Sequence, residues 1–328
     1  MMTAMVLGGP GEALVATERA VPEPGAEDVR VRVSACGVCR TDLHVLDGDL
    51  PTTRYPIVPG HEIVGRVEAL GANVRGLQVG DRVGVPWLGG TCGHCRYCAM
   101  DLENLCDAPR FTGHSRDGGF ATHTVADARY CFRLPDGIDD VHAAPLLCAG
   151  LIGFRAYGMA GDAPALGLYG FGASAHILAQ MAVQDGRDVY AFSRPGDTRS
   201  QDFARSLGAM WAGGSDEAAP APLDAAILFA PVGELVPKAL ADVRKGGRVV
   251  CAGIHMSDIP RFAYALLWGE RSLKSVANLT REDGRRFFER MAVRPVDAHV
   301  RRYALRDANA ALGDLRSGAF DGAAVLVP

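Results

Sequence analysis

Four cysteines within fifteen residues restrict the fold of this chain more than any other feature. They form the pattern C-x2-C-x2-C-x7-C at Cys92, Cys95, Cys98 and Cys106. Four thiolates brought together by short loops suit a tetrahedral zinc site with no open position. We therefore expect a structural metal that stabilises a lobe without a core of its own. His94 lies inside the cluster but is not needed as a ligand, and a four-cysteine iron–sulfur cluster is the alternative.

The composition favours a metalloprotein without disulfides. The chain has 328 residues, about two domains' worth, and an odd number of nine cysteines, which favours metal ligation over pairing. Its formal charge of −4 argues against a nucleic-acid partner. No apolar run approaches the roughly 18 residues of a membrane span, and the N-terminal stretch lacks a basic signal region. We expect a cytoplasmic protein with neither nucleic-acid nor membrane partners.

The hydrophobic periodicity changes near residue 145. Before it, short β-branched runs bounded by turn residues predict an antiparallel sheet or partial barrel, as in VRVRVSACG (29–37), HEIVGRVEALG (61–71) and GGFATHTVA (118–126). After it, strand and helix patterns alternate, which indicates βαβ units and a parallel sheet. The end of the chain, 299–328, has strand, helix and strand patterns.

These patterns predict an α/β protein with an inserted domain. A doubly wound, parallel-sheet cofactor domain of Rossmann type would occupy 150–290. The helical pattern REDGRRFFERM (281–291) would end it. A mainly β, partly barrel-like domain would comprise 1–149 and 291–328, with the four-cysteine lobe at 92–106.

Three further segments carry residues that can bind metals. They are ACGVCRTDLH (35–44), PGHEIVG (59–65) and LLCAG (146–150). Taken singly, Cys39 and Cys148 could be packed thiols and His61 a core histidine.

In their joint order, GVCRTDLH, GHE, the four-cysteine lobe and GFGASA resemble the zinc-dependent medium-chain alcohol dehydrogenases over nearly the whole chain. The resemblance implies two zinc ions per chain, the catalytic one bound by Cys39, His61 and Cys148. Cys36 stays outside this set as a packed thiol. Two thiolates and a neutral imidazole would leave a nearly neutral zinc with one open position, able to polarise a substrate oxygen.

Other residues near these ligands have expected roles. Asp42 is the expected partner of the His61 imidazole, or it simply caps a helix. The resemblance implies that Glu62 lies beside the metal, sometimes as an exchangeable ligand. It also implies a proton relay from Thr41 through the nicotinamide ribose to His44; a plain surface role for His44 is the alternative.

The run GLYGFGASA (167–175) follows a predicted strand and opens a predicted helix, the context of a dinucleotide fingerprint. Gly170 permits the tight turn, Gly172 lets the backbone approach the pyrophosphate, and Ala175 takes the place of the third glycine. The expected cofactor-binding residues of this turn are Gly170, Phe171, Gly172, Ala173 and Ser174.

The next strand ends in Ser193 and Arg194 rather than in an acidic residue. An NAD enzyme needs an acid there for the ribose hydroxyl, whereas serine and arginine suit a 2′-phosphate. We expect NADP(H) to be preferred to NAD(H), the alternative being a solvated arginine beside a promiscuous pocket.

The remaining assignments follow the resemblance. It implies a pyrophosphate contact by Arg40 and backbone contacts to the nicotinamide by Ala230, Pro231 and Val232, with Gly253 in the same role. The expected pocket walls, or else core residues, are Trp87, Leu88 and Trp268. The expected function is hydride transfer between the cofactor and a small aliphatic or aromatic alcohol or aldehyde, by a homodimer or homotetramer. Alternatives are a polyol dehydrogenase of the same family and a non-catalytic cofactor-binding protein.

Overall fold

The computed structural model describes all 328 residues and has two compact units. The first comprises Met1–Leu151 and Asn278–Pro328, and the second comprises Ile152–Ala277. The inserted unit is therefore shorter at its C-terminal end than the predicted 150–290. The helix at 281–291 belongs to the first unit, because Phe288 packs with its ring centroid 5.7 Å from that of Phe132.

The N-terminal part of the first unit is built mainly from strands. It contains β1 (Met2–Val6), β2 (Val15–Arg19), β3 (Asp28–Val38), α1 (Arg40–Asp47), β4 (Glu62–Leu70), β5 (Arg82–Val85), β6 (Leu88–Gly90), β7 (Arg110–Phe111), β8 (His123–Asp127), β9 (Phe132–Arg133) and α2 (Asp140–Ala143). In β3, Val29, Val31 and Val33 are buried, the alternation expected of a strand with one face on a core.

One predicted strand is shorter than expected. The pattern at 118–126 forms a strand only from His123 onward. Gly118 and Gly119 instead donate backbone hydrogen bonds to the carbonyl oxygens of Val58 and Gly60. These glycines hold their loop against the turn before β4.

The second unit is a parallel α/β sheet. Helix α3 (Ala149–Ala160) leads into it. It contains β10 (Ala165–Tyr169), α4 (Ala173–Gln184), β11 (Asp188–Ser193), α5 (Thr198–Ser206), β12 (Trp211–Gly214), β13 (Leu223–Leu228), α6 (Leu235–Asp242), β14 (Val243–Cys251) and β15 (Ser272–Ser275). The strands are all parallel, in the order β12-β11-β10-β13-β14-β15. This is the doubly wound order 3-2-1-4-5-6 of dinucleotide-binding domains, and it confirms the predicted doubly wound parallel sheet.

The end of the chain returns to the first unit. It forms α7 (Arg281–Val293), β16 (Val300–Ala304), α8 (Ala308–Ser317) and β17 (Ala323–Val327). Strand β17 pairs antiparallel with β3, which completes the sheet β16-β17-β3-β4-β5-β9, with β8 also paired to β3. No single helix has the length and apolarity of a membrane span; one bent pair, Asp140–Leu147 with Ala149–Ala160, meets that test by length and composition only.

Candidate functional site

The four cysteines of the lobe converge. Their sulfur atoms all lie within 4.8 Å of one another. The backbone N–H groups of Cys92, Cys95 and Ala108 donate to these sulfurs at 3.3–3.4 Å. Backbone N–H groups also lower the pKa of Cys95 to about 6. Donors aimed at sulfur stabilise thiolates, so this group fits a zinc ion; the exposed His94 stays outside, bonded to the Cys92 carbonyl.

A second set of ligand atoms meets inside the first unit. One donor atom each from Cys39, His61, Glu62 and Cys148 lies within 4.8 Å of the others. The two sulfurs are 3.8 Å apart. Cys39 caps α1, His61 precedes β4, and Cys148 precedes α3, so the set joins three distant segments. Cys36 is buried outside it, and burial raises the pKa of its thiol.

Asp42 organises this cluster. Its carboxylate accepts hydrogen bonds from the backbone N–H groups of Cys39 (2.8 Å) and Gly60 (3.1 Å) and lies 3.2 Å from Nδ1 of His61. A carboxylate only accepts, so Nδ1 carries the proton, and in the neutral ring Nε2 is an acceptor. Nε2 is buried and has no hydrogen-bond partner. An orphaned acceptor beside two thiols fits a metal ion, and Asp42 caps the helix as well.

Glu62 contributes an oxygen to the same cluster. Its Oε2 atom is buried without a hydrogen-bond partner. Burial raises the pKa of Glu62, and the negative charge of Cys39 adds to this effect. The carboxyl group therefore gains from a nearby cation.

Helix α1 presents the residues expected in the proton relay. Thr41 is buried, with its Oγ1 atom 3.8 Å from the Cys39 sulfur. His44 follows three residues later, which places both side chains on one side of the helix. Nδ1 of His44 lies 2.8 Å from Asp49 Oδ2. Arg40 is exposed at the first position of α1.

Of the three predicted pocket residues, Trp87 is the one with a ring contact to a candidate metal ligand. Its ring centroid lies 5.0 Å from that of His61, edge to face, and it stacks on Phe111 at 4.9 Å. Leu88 is fully buried and pairs with Phe111. Trp268 belongs to the second unit and is 66% exposed, so it is not a core residue there.

The glycine turn of the second unit has the geometry of an anion-binding turn. Gly170 has φ +89°, and a Cβ atom there would lie 2.7 Å from the Ala230 nitrogen, so no other residue fits. A Cβ at Gly172 would meet no atom within 4 Å. Helix α4 begins next, at Ala173 and Ser174, and no side chain caps it. The Phe171 side chain is buried, whereas Gly172 is exposed. The uncapped backbone N–H groups at the start of α4 therefore suit a pyrophosphate.

The tip of β11 differs from the prediction in one respect. Ser193 is buried, and its hydroxyl lies 3.1 Å from the Arg194 carbonyl and accepts a bond from Gln201. It is turned into the protein, because the following turn supplies its partners. Arg194 is exposed at the same tip. The nearest acid in sequence, Asp197, caps α5 by accepting from Ser200.

The remaining expected cofactor residues lie at the carboxyl edge of the same sheet. Ala230, Pro231 and Val232 follow β13, and Gly253 follows the neighbouring β14. A Cβ on Gly253 would lie 3.8 Å from Pro231, so the two segments are adjacent. Ligands of open α/β sheets bind at this edge.

Sequence reasoning missed one buried histidine in the aromatic cluster next to the metal ligands. His114 is buried, with its ring centroid 5.5 Å from that of Trp87. A single histidine in a loop carries no pattern, so only the folded structure identifies it.

Comparison with known proteins agrees with this architecture. Residues 25–136 match the alcohol dehydrogenase GroES-like domain. A protein of Mycobacterium tuberculosis named as a probable alcohol dehydrogenase is 47% identical, with 94% of this chain and 90% of that protein covered. An alcohol dehydrogenase of Geobacillus stearothermophilus is 35% identical, covering 99% and 98%.

Solved structures agree in fold. A zinc-binding dehydrogenase of Sinorhizobium meliloti bound to NADP superposes with a TM-score of 0.90 at 26% identity, covering 100% of this chain and 99% of that one. The match to these relatives extends over both units. It includes the cysteine and histidine motifs and the glycine turn, in the order in which they follow one another along the chain. The chain belongs to the zinc-dependent medium-chain alcohol dehydrogenase family.

Proposed function

We propose that the chain is a zinc-dependent alcohol dehydrogenase or aldehyde reductase that prefers NADP(H) and acts on aliphatic or aromatic substrates. The observation that supports this most is the orphaned, buried Nε2 of His61 beside two thiols, with its ring oriented by Asp42. When bound, zinc supplies Lewis-acid polarisation of a substrate oxygen. Cys39, His61 and Cys148 would hold it, and Glu62 stands beside them.

The residues of α1 would manage the proton. The Thr41 hydroxyl accepts the proton that the alcohol must lose before hydride transfer. His44, paired with Asp49, passes it on toward solvent. The buried Trp87 ring, edge to face with His61, would form an apolar wall on that side of the site.

The preference for NADP(H) is supported by the charges at the tip of β11. Arg194 is exposed there, and a guanidinium suits a phosphate group. The nearest acid in sequence, Asp197, is engaged as a helix cap and so does not offer a free carboxylate to a ribose hydroxyl. We further propose that the chain forms a homodimer or homotetramer, which light scattering would show.

Initial rates of NADPH and NADH oxidation with a panel of aliphatic and aromatic aldehydes test this function. We expect turnover with aromatic and aliphatic members, faster with NADPH, and two zinc ions per chain by elemental analysis. The enzymatic function would be contradicted if the wild-type chain showed no turnover and held only one zinc. That zinc would belong to the four-cysteine lobe if Cys148→Ala retained it and Cys95→Ala lost it. A clear NADH preference would contradict only the cofactor assignment.

A further inference from the structure

His114 is a buried imidazole that neither the metal cluster nor the cofactor turn uses. It is 4% exposed, and neither Nδ1 nor Nε2 has a hydrogen-bond partner. Burial lowers the pKa of the ring, and the Pro51 backbone acts in the opposite direction as a weak hydrogen-bonding neighbour, but no hydrogen bond of normal geometry joins the two. Most buried polar side-chain atoms in proteins are hydrogen-bonded, so two unpartnered nitrogens on one ring need a reason.

The position of His114 suggests that reason. Its ring contacts Trp87 and Phe111, at centroid distances of 5.5 and 5.9 Å, and Trp87 in turn contacts His61 at 5.0 Å. His114 is thus two ring contacts from a metal ligand. His114 and His61 therefore both contact the Trp87 ring.

The loop that carries His114 packs closely against the metal-binding turn. Gly113 has φ +73°, and a Cβ atom there would lie 2.8 Å from the Gly60 nitrogen. Farther along the loop, Gly119 donates a backbone hydrogen bond to the Gly60 carbonyl. The His114 side chain is therefore positioned relative to His61 by backbone contacts, as a specificity-determining residue should be.

We propose that His114 determines substrate specificity by hydrogen-bonding a second, uncharged oxygen of the substrate, remote from the carbon that exchanges hydride. This inference rests on the proposed function. The neighbouring Trp87 and Phe111 rings suit an aromatic substrate, so the class is an aromatic alcohol or aldehyde that carries a ring hydroxyl.

The chemistry of the ring supports an uncharged partner. Burial lowers the pKa of His114, so the imidazole is neutral at neutral pH. A neutral imidazole offers one donor and one acceptor, which matches a hydroxyl group and gives no charge to attract a carboxylate. A substrate without the hydroxyl leaves both nitrogens unpaired, and such a mismatch is penalised strongly.

The test compares benzaldehyde with its 3-hydroxy and 4-hydroxy derivatives as substrates of the zinc-loaded full chain. We expect the better hydroxylated aldehyde to exceed benzaldehyde in kcat/KM by at least about tenfold. His114→Phe should abolish that preference while benzaldehyde turnover changes little. His114→Gln, which keeps a donor and an acceptor, should retain part of it. His123→Phe, at an imidazole that contacts Glu68, is the control and should retain all of it.

Calorimetric titration of the protein with 4-hydroxybenzyl and benzyl alcohols gives a readout independent of turnover. We expect weaker binding of the hydroxylated alcohol in His114→Phe, with His114→Leu as a second variant if the first fails to fold. An unchanged preference in these variants, or no preference in the wild-type chain, overturns the proposal. Absence of turnover with every aldehyde contradicts the proposed function instead, and the titration then decides the role of His114.

Discussion

The carboxylate of Asp42 lies 3.2 Å from Nδ1 of His61 and also accepts hydrogen bonds from the backbone N–H groups of Cys39 and Gly60. One buried side chain thus sets the imidazole tautomer and ties together the two segments that carry Cys39 and His61. Both groups are nearly inaccessible to solvent, at 0% and 1% of side-chain exposure. This relationship makes Asp42 the residue whose replacement tests the metal site most directly.

Asp42→Asn should weaken zinc binding at this site. The amide keeps the size of the side chain but loses the charge, and its NH₂ group cannot accept from the donors that now surround the carboxylate. We expect a loss of about 10- to 100-fold in metal affinity and in kcat/KM. Competition with a chromogenic chelator measures the affinity.

Asp47→Asn is the matched control for this experiment. Asp47 lies on the same helix but is exposed and pairs with Arg316. The Asp47→Asn substitution should leave the zinc affinity unchanged. An Asp42→Asn protein that holds zinc as tightly as the wild type would show that the carboxylate does not orient the ligand.

Cysteine substitutions should separate the two metal groups. Cys148→Ala should abolish turnover, leave cofactor binding near normal and retain one zinc, because the four-sulfur group is intact. Cys95→Ala should first lower the thermal unfolding midpoint, since a structural metal contributes its binding energy to folding. Zinc counting and thermal scans measure these effects; full turnover in Cys148→Ala would refute its assignment as a ligand.

Glu103 should stabilise the attachment of α7 to the four-cysteine lobe. Its buried carboxylate accepts from the backbone N–H and the guanidinium Nε of Arg281, at 2.8 and 3.1 Å. Glu103→Ala removes the acceptor and should lower the free energy of unfolding by about 1–3 kcal/mol. Denaturant titration measures it, and Glu282→Ala, at an exposed residue in the first turn of α7, should have a smaller effect.

Asp127 should make stability depend on pH in acid. Burial acts to raise the pKa of Asp127, but hydrogen bonds from Arg129 outweigh it and hold the pKa below its usual value. Because the pKa is lower in the folded than in the unfolded chain, where it is about 3.9, the carboxylate stabilises the fold above that pH. This contribution is lost as the pH falls through the folded pKa.

Asp127→Asn should therefore destabilise the protein at pH 7, and the difference from wild type should shrink below about pH 4, where free aspartate protonates. Urea unfolding at a series of pH values measures this. Asp136→Asn, at an exposed aspartate, is the control. A difference that stays constant down to pH 3 would contradict the assigned role.

Arg194→Gln should lower kcat/KM for NADPH and leave that for NADH nearly unchanged, because only NADPH carries the 2′-phosphate. We expect a loss of about tenfold for one charge-assisted contact. Ser193→Ala should have a much smaller effect on this ratio, since its hydroxyl bonds within the turn. Equal losses for both cofactors in Arg194→Gln would argue against phosphate recognition.

The predictable part of the fold is the part encoded over short distances. The spacing of Cys92 to Cys106 and the turn at Gly170 are local patterns: in the structure the four sulfurs converge, and Gly170 has a positive φ. The placement of α7 was wrong, because periodicity describes one helix face but not its partner. That partner, Phe132, lies far away in sequence.

By itself, the sequence determined the order of motifs, the alternation of strands and helices, and hence the family and the doubly wound unit. Only the tertiary structure decided which atoms meet: the two sulfurs 109 residues apart, the inward hydroxyl of Ser193, and the unpartnered ring of His114. The physical reason is that spacing along the chain restricts only neighbouring backbone. Contacts between distant segments depend on the packing and hydrogen bonding of everything between them.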